Sequence, residues 1–363
     1  MAIRRVEQLS LADALVSRRG KSSVILERLD QLIDWGAVAA LLSGVHGSRY
    51  GAPGYPPLCL LKALLLQQWY ALSDPGLEDA LADRLSFRRF VGLALDAAVS
   101  DHSTVSRFRS LLAEEKLSEP VFREVTRQID ARGLILRAGT MIDASLVEAQ
   151  VKRPAKPKAD SATVPAAAAA QEPESDGAAV SGESEPEAAQ EGKPQTAEPA
   201  PSKLVGSPID PEASWAKKGH KRYFGYKAHV AVDLGSGIIR RAKLTTASVA
   251  DTSEADDLVM GDEAAVYADK AYDTKARRAR LKTAGIKDRI AHRPNKHHPL
   301  TPRQEQRNAG ISLRRSGVER VFATFKRLMG WWRVRYRGVV RNAGHLDLMC
   351  TAVNLRRLLV LSA

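Results

Sequence analysis

The spacing of apolar residues changes character once along the chain. Up to about residue 134 it is helical. "YPPLCLLKALLLQQWYAL" is apolar on nearly every side and predicts a long buried helix with prolines in its first turn. "SDPGLEDALADRL" predicts a second helix, with Asp74 as its cap and Pro75 at the first helical position. "SDHSTVSRFRSLLAEEKL" predicts a third from near Ser103, and "SEPVFREVTRQIDARG" a fourth from Ser118 to a stop at Gly133. Beyond that point strands enter. "GTMIDASLVEAQ" is an apolar run that reads as a buried strand carrying Asp143. "RYFGYKAHVAVD" alternates, with Tyr226, Ala228, Val230 and Val232 on one face and Lys227 and His229 on the other. A "GSG" turn at 235 to 237 leads into "IIRRAKLTTASV", its hairpin partner. There follow a short helix ("TSEADDLVM"), a compact strand ending at Asp269 ("AAVYADKAYD") and a basic helix closed by Gly285 ("TKARRARLKTAG"). The pattern then continues with a short strand ("KDRIAHR") and a helix, "SGVERVFATFKRLMGWW". In that helix Val318, Phe322, Phe325 and Met329 recur at helical spacing and predict one buried face. Arg315, Glu319 and Lys326 share one side of it at about 100° per residue.

Composition interrupts this order once. From about Val151 to Pro208 the chain turns rich in Ala, Pro, Glu and Ser, without an aromatic residue. Such a segment buries too little apolar surface to offset chain entropy, and disorder is expected there. The organisation expected is therefore a helical N-terminal, DNA-binding domain (1–134), an α/β domain assembled from 135–151 and 209–363, and an acidic insertion (152–208).

Charge narrows the partners. The chain of 363 residues carries a net charge of +13, and the insertion is acidic, so the remainder is more basic still. An excess of this size favours a polyanion, nucleic acid or an anionic membrane surface. No run approaches the length of a membrane-spanning helix, and the N-terminus lacks the apolar stretch and cleavage site of a secretion signal. Cys59 and Cys350, the only two cysteines, each lie in apolar context and read as small buried hydrophobes in a reducing compartment. A cytoplasmic protein is expected.

Asp143 and Asp269 each end an apolar run, where a carboxylate costs desolvation unless a cation meets it. That cation is an arginine or lysine in the structural reading and a metal in the functional one. Two such aspartates together with Glu319 at the edge of a core helix favour the second. The order of elements is strand with Asp, hairpin, helix, strand with Asp, helix, strand, helix with Glu. It matches a ribonuclease-H-like fold, in which the first and fourth strands lie side by side.

From about Tyr55 onward the chain resembles the bacterial DDE transposases of the insertion-sequence-five kind. The resemblance rests on "PLCLLKALLLQQWYALSD", "LSFRRFVGL", "SDHSTVSRFR", "MIDASLV", "HKRYFGYKAHVAVD", "LTTASVADT", "VYADKAYDT" and "RSGVERVFATFKR" in that order. It implies a catalytic, metal-binding triad of Asp143, Asp269 and Glu319, holding Mg2+ or Mn2+, two ions in all, for phosphodiester hydrolysis and strand transfer. It implies DNA contacts at Arg315 and Lys326, which match the Arg, Glu and Lys steps of the family's signature, and at Lys270 beside the second aspartate. Ser312 stands where that signature has a tyrosine, and Ala271 where a glycine is common. The implied partners are the element's terminal inverted repeats and target DNA, bound by a homodimer or higher assembly at the bacterial nucleoid.

Other residues are weighed from the sequence itself. Arg107 and Arg109 in "STVSRFR" fit the reading helix of a helix-turn-helix. "TKARRARLK", and "RGVVR" with Trp331, Trp332 and Tyr336, fit a DNA track with stacking aromatics, although Trp331 reads equally as core. His229 reads as a solvated or hydrogen-bonded histidine, and His297 with His298 as a surface loop. Two other functions are compatible with the fold: a non-catalytic DNA-binding protein, such as a transposition inhibitor or a decayed copy, and a structure-specific nuclease.

Overall fold

The computed structural model describes residues 21–45, 54–151, 207–294 and 299–363. The acidic insertion, expected to be disordered, and His297 and His298 lie outside the described residues.

Among the described residues seven helices precede the sheet: α1 (Lys21–Leu32), α2 (Trp35–Leu41), α3 (Pro57–Tyr70), α4 (Asp74–Asp83), α5 (Leu85–Val91), α6 (His102–Glu114) and α7 (Ser118–Ala131). Proline sits in the first turn of α3 as expected, and the helix's middle is buried on all sides. One cap differs from expectation by one position, and the helix expected from near Ser103 begins at His102. Ser73, not Asp74, caps α4, its side chain accepting from the Gly76 amide. Asp101 caps α6 by accepting from Thr104. The physical reason at α4 is that the Asp74 carboxylate is engaged elsewhere, by Arg109 and Gln67.

The sheet contains β1 (Thr140–Glu148), β2 (Ser214–Lys218), β3 (Lys221–Asp233), β4 (Ile239–Thr246), β5 (Ala265–Ala268) and β6 (Lys287–Ile290). Its central order is β4, β3, β1, β5, β6; β3 runs antiparallel to β1 and β4, whereas β5 lies parallel to β1, and β6 parallel to β5. The short α8 (Asp251–Leu258) lies on the connection from β4 to β5, which brings the chain back across the sheet to pair parallel with β1. β2 was not foreseen. It pairs with the first part of β3, up to Gly225, and β4 takes over from Tyr226.

Apolar packing covers both faces of this sheet. One face, with Ile142, Ala231, Val266 and Ala268, packs on α8 and α9 (Lys275–Thr283). The other, with Met141, Val147, Val230 and Tyr267, joins a core shared with α10 (Pro302–Ala323), α11 (Val339–Leu361) and the N-terminal helices. The alternation of β3 had suggested one polar face, but His229 is fully buried and bonds through Nε2 to the Thr245 hydroxyl at 2.9 Å. Burial depresses its pKa to about 4, which identifies it as a neutral core histidine.

The helix predicted over 316–332 begins much earlier, at Pro302, with Thr301 and Gln304 forming a capping box. Its α-helical part stops at Ala323, and a π-helical turn, Thr324–Leu328, follows. Val318, Phe322, Phe325 and Met329 are buried as the spacing predicts. α11 then runs through the middle of the molecule. The Asn354 side chain bonds both the Ile239 backbone and Thr126, and the Trp69 indole donates to the Ala352 carbonyl. Outside the insertion, the described residues form one compact unit.

Candidate active site

Three elements build the site. The parallel register pairs Met141 of β1 with Tyr267 of β5. Two residues further along each strand stand Asp143 and Asp269, on the face that α10 covers. Asp143 lies inside β1, not at its end, and pairs with Val230 of β3. Asp269 follows the last residue of β5 and caps a short 3-10 turn, Lys270–Tyr272. Each aspartate also accepts from the next backbone amide, Ala144 at 2.9 Å and Lys270 at 2.7 Å.

α10 projects Arg315 between them. The guanidinium lies 3.2 Å from the Asp143 carboxylate and 3.8 Å from that of Asp269. Arg315 is largely buried, and among the described residues its Nε has no hydrogen-bond partner. The pKa of Asp143 is raised by burial, against the opposing pull of Arg315. Glu319, one turn further along α10, is exposed. Among the described residues no three His, Cys, Asp or Glu side chains come together as a metal cluster. The structure thus joins two of the three predicted acids through Arg315, and the third stands one turn along the helix from that arginine.

Lys326 belongs to the π-helical turn. Its ammonium donates to the Ser145 hydroxyl at 2.8 Å and lies 5.7 Å from the centre of the exposed Trp332 ring. Burial, with a contribution from the nearby Lys218, lowers its pKa. Ser145 lies two residues beyond Asp143 on the same face of β1, so Lys326 reaches the strand that carries the first aspartate. Ser145 and Lys218 were not singled out from the sequence. The signal for Ser145 is its place at i+2 from Asp143; that for Lys218 is the cationic run "KKGHKR".

The remaining predicted DNA contacts divide. Lys270 and Arg107 are exposed, Arg107 folding back on its own helix to the Ser103 carbonyl. Arg109 is not on the surface: it is buried, bonded to Asp74 and to Gln67, and stacked 5.6 Å from the Tyr336 ring centre. Its spacing from Arg107 turns it toward the core side of α6, whose buried positions include Val105, Phe108 and Leu112. The basic helix α9 is also less available than its composition suggests. Arg277 is buried on Asp256, Arg278 pairs with Asp273 and Asp288, and Arg280 pairs with Asp256. Trp331 is core, and Tyr336 packs edge-on against His345.

The donor chemistry of the aspartate pair suits a hard cation. Two carboxylates converge on one positive group, the Arg315 guanidinium, and their oxygen donors are of the kind a divalent ion takes. A mixed sheet in this strand order, with one acid inside its first core strand and one just past its fourth, defines a ribonuclease-H-like catalytic domain. The family described as "Transposase DDE domain" matches residues 186–355, and that described as "Transposase domain (DUF772)" matches residues 12–111. The chain carries a transposase DDE domain, the catalytic domain of enzymes that cleave DNA and transfer its strands. That family generally uses divalent metal ions and acts on DNA. No solved structure matches the chain. Among the described residues no helix is long and apolar enough to cross a membrane.

Proposed function

We propose that this transposase is of the insertion-sequence-five kind, acting on the terminal inverted repeats of its own element with Asp143, Asp269 and Glu319 as its triad. The observation that carries this reading is the convergence of Asp143 and Asp269 on Arg315, with Glu319 on the adjacent turn of the same helix. In this reading the three acids would hold Mg2+ or Mn2+, two ions, which supply charge stabilisation for the attacking and leaving oxygens when bound.

The protein's own groups have separate tasks. β1 and β5 fix the two aspartates on adjacent strands, so their spacing is set by the sheet and not by flexible loops. Arg315 offsets their mutual repulsion and offers a charged donor to a phosphate at the same place. Lys326, held by Ser145, presents a second cation along the strand, and Lys270 and Arg107 offer exposed charge to the DNA backbone. The helical region before residue 135 is the DNA-binding part of this scheme. The protein works in the cytoplasm at the nucleoid, as a dimer or larger assembly on DNA.

Asp143→Asn, Asp269→Asn and Glu319→Gln test the triad. Each should abolish strand cleavage in magnesium while leaving duplex binding within about two-fold, because the amides keep shape and remove the ligand charge. Cleavage at a near wild-type rate by any one of them would remove that residue from the triad.

A further inference from the structure

The hairpin formed by β2 and β3 carries a charge pattern that no ion pair among the described residues neutralises. Gly219, at φ 60°, opens a two-residue turn with His220, a geometry that favours glycine at that first position. On either side of the turn Lys217 lies opposite Arg222 and Lys218 opposite Lys221. Like charges directly across an antiparallel pair repel. Because side chains alternate, the first pair lies on one face of the ribbon and the second on the other. All four cations are exposed, as is His220. Among the described residues none of the four takes part in an ion pair. Elsewhere in this protein arginines and lysines are commonly matched, as Arg278 is by Asp273 and Asp288, or Lys243 by Glu254 and Asp257.

The base of the hairpin, by contrast, is fixed. The Trp215 and Phe224 rings pack 5.2 Å apart. The Phe224 carbonyl accepts from Ala149 just past β1, and the Ser214 hydroxyl accepts from the Ser248 amide. The tip therefore stands about five residues along the ribbon from a fixed root, a contour length of roughly 17 Å. That root lies against the end of β1, where Gly225 pairs with Glu148, five residues from Asp143. Lys218 is near enough for its charge to act on both Asp143 and Lys326.

We propose that the β2–β3 hairpin tip is a DNA-backbone contact flanking the catalytic carboxylates, with Lys217 and Arg222 on one face of the ribbon and Lys218 and Lys221 on the other meeting phosphates. The ligand class is the phosphodiester backbone of duplex DNA, recognised by charge and without base readout. The placement beside the reacting strand rests on the triad reading above; the binding does not.

Replacing all four cations by alanine in the full chain tests it, with a random-sequence duplex of about thirty base pairs as probe. Each lost phosphate contact lowers the slope of log K against log salt by about 0.9, so the slope should fall by about two to four. The melting temperature should hold or rise, because the variant removes repulsion and no internal pair. A slope equal to wild type overturns the proposal, as does a slope loss accompanied by a fall in melting temperature. A photo-crosslinker in place of His220 should attach to the duplex; attachment only to the protein's own acidic insertion would also overturn it. Both measurements are made in the Asp143→Asn variant as well, where an unchanged result separates failure of the hairpin proposal from failure of the triad.

Discussion

Arg315 and Asp143 form an ion pair at 3.2 Å across the gap between α10 and β1, and the same guanidinium reaches Asp269 at 3.8 Å. The helix that supplies the third acid of the proposed triad thus also supplies the charge that lets the first two stand together. Without it, two carboxylates carried by adjacent strands would repel each other in a partly buried place.

Arg315→Ala should therefore destabilise the protein by about 3 kcal/mol in the presence of a chelator, the usual scale for removing one partner of a buried pair. Millimolar Mg2+ or Mn2+ should raise the melting temperature of the variant more than that of wild type, because a cation binding the freed carboxylates stabilises only the folded state. Equal metal-induced shifts in the two proteins would show that arginine and metal do not share those carboxylates.

Arg109 is predicted to act through folding. Arg109→Ala leaves the part-buried Asp74 carboxylate with only Gln67 as partner and removes the stack on Tyr336, so a loss of about 3 kcal/mol in denaturant unfolding is expected. Arg107→Ala, on the exposed side of the same helix, should change stability by less than about 0.5 kcal/mol. If the two variants were equally stable, the buried network would not be holding α6 to α3 and α4.

Asp347 on α11 gives the pH dependence its sign. Burial, and then the charge of Glu119, push its pKa up to about 8, with Arg123 opposing. Folding therefore favours the protonated form. Its contribution to stability is complete below the ordinary carboxylate range and is lost as pH rises through about 8. Asp347→Asn should remove that loss, so the melting-temperature difference between variant and wild type should grow between pH 5 and pH 8.5. Comparing the two proteins cancels the opposite trend from His229 and His345, whose pKa values burial depresses. A difference that stays constant with pH would exclude a raised Asp347.

Gly225 tests the joint where β3 changes partners. A Cβ there would lie 2.2 Å from the Val147 carbonyl oxygen and 2.6 Å from the Ala149 amide, at a φ of 157°. Backbone cannot yield as a flexible side chain can. Gly225→Ala should cost about 3 kcal/mol or more and displace the end of β1, weakening cleavage along with stability. A variant that melts within a degree or two of wild type would show that this contact is relaxed in solution.

The sequence by itself left α1, α2 and α5 unread but determined the other four N-terminal helices (α3, α4, α6 and α7), the buried stripe of Val318, Phe322, Phe325 and Met329, and the order of elements that puts two aspartates on neighbouring strands. These follow from periodicity and from local stop signals such as Gly133 and Gly285, which act over a few residues and so are written in a few residues. Only the tertiary structure decided which cations remain available. Arg107 and Arg109 are two positions apart and alike on paper, yet Asp74, 35 residues away from Arg109, claims one and leaves the other exposed. Trp331 is buried and Trp332 exposed for the same kind of reason, since the π-helical turn before them sets which ring enters the core. His229 changed face value once α8 covered the second side of β3. The unforeseen strand β2 exists because β3 is longer than β4 can pair, and its exposed edge recruits a second partner. Partners distant in sequence choose the fate of each charged side chain, because burial and pairing energies depend on what lies across the fold and not on what lies next in the chain.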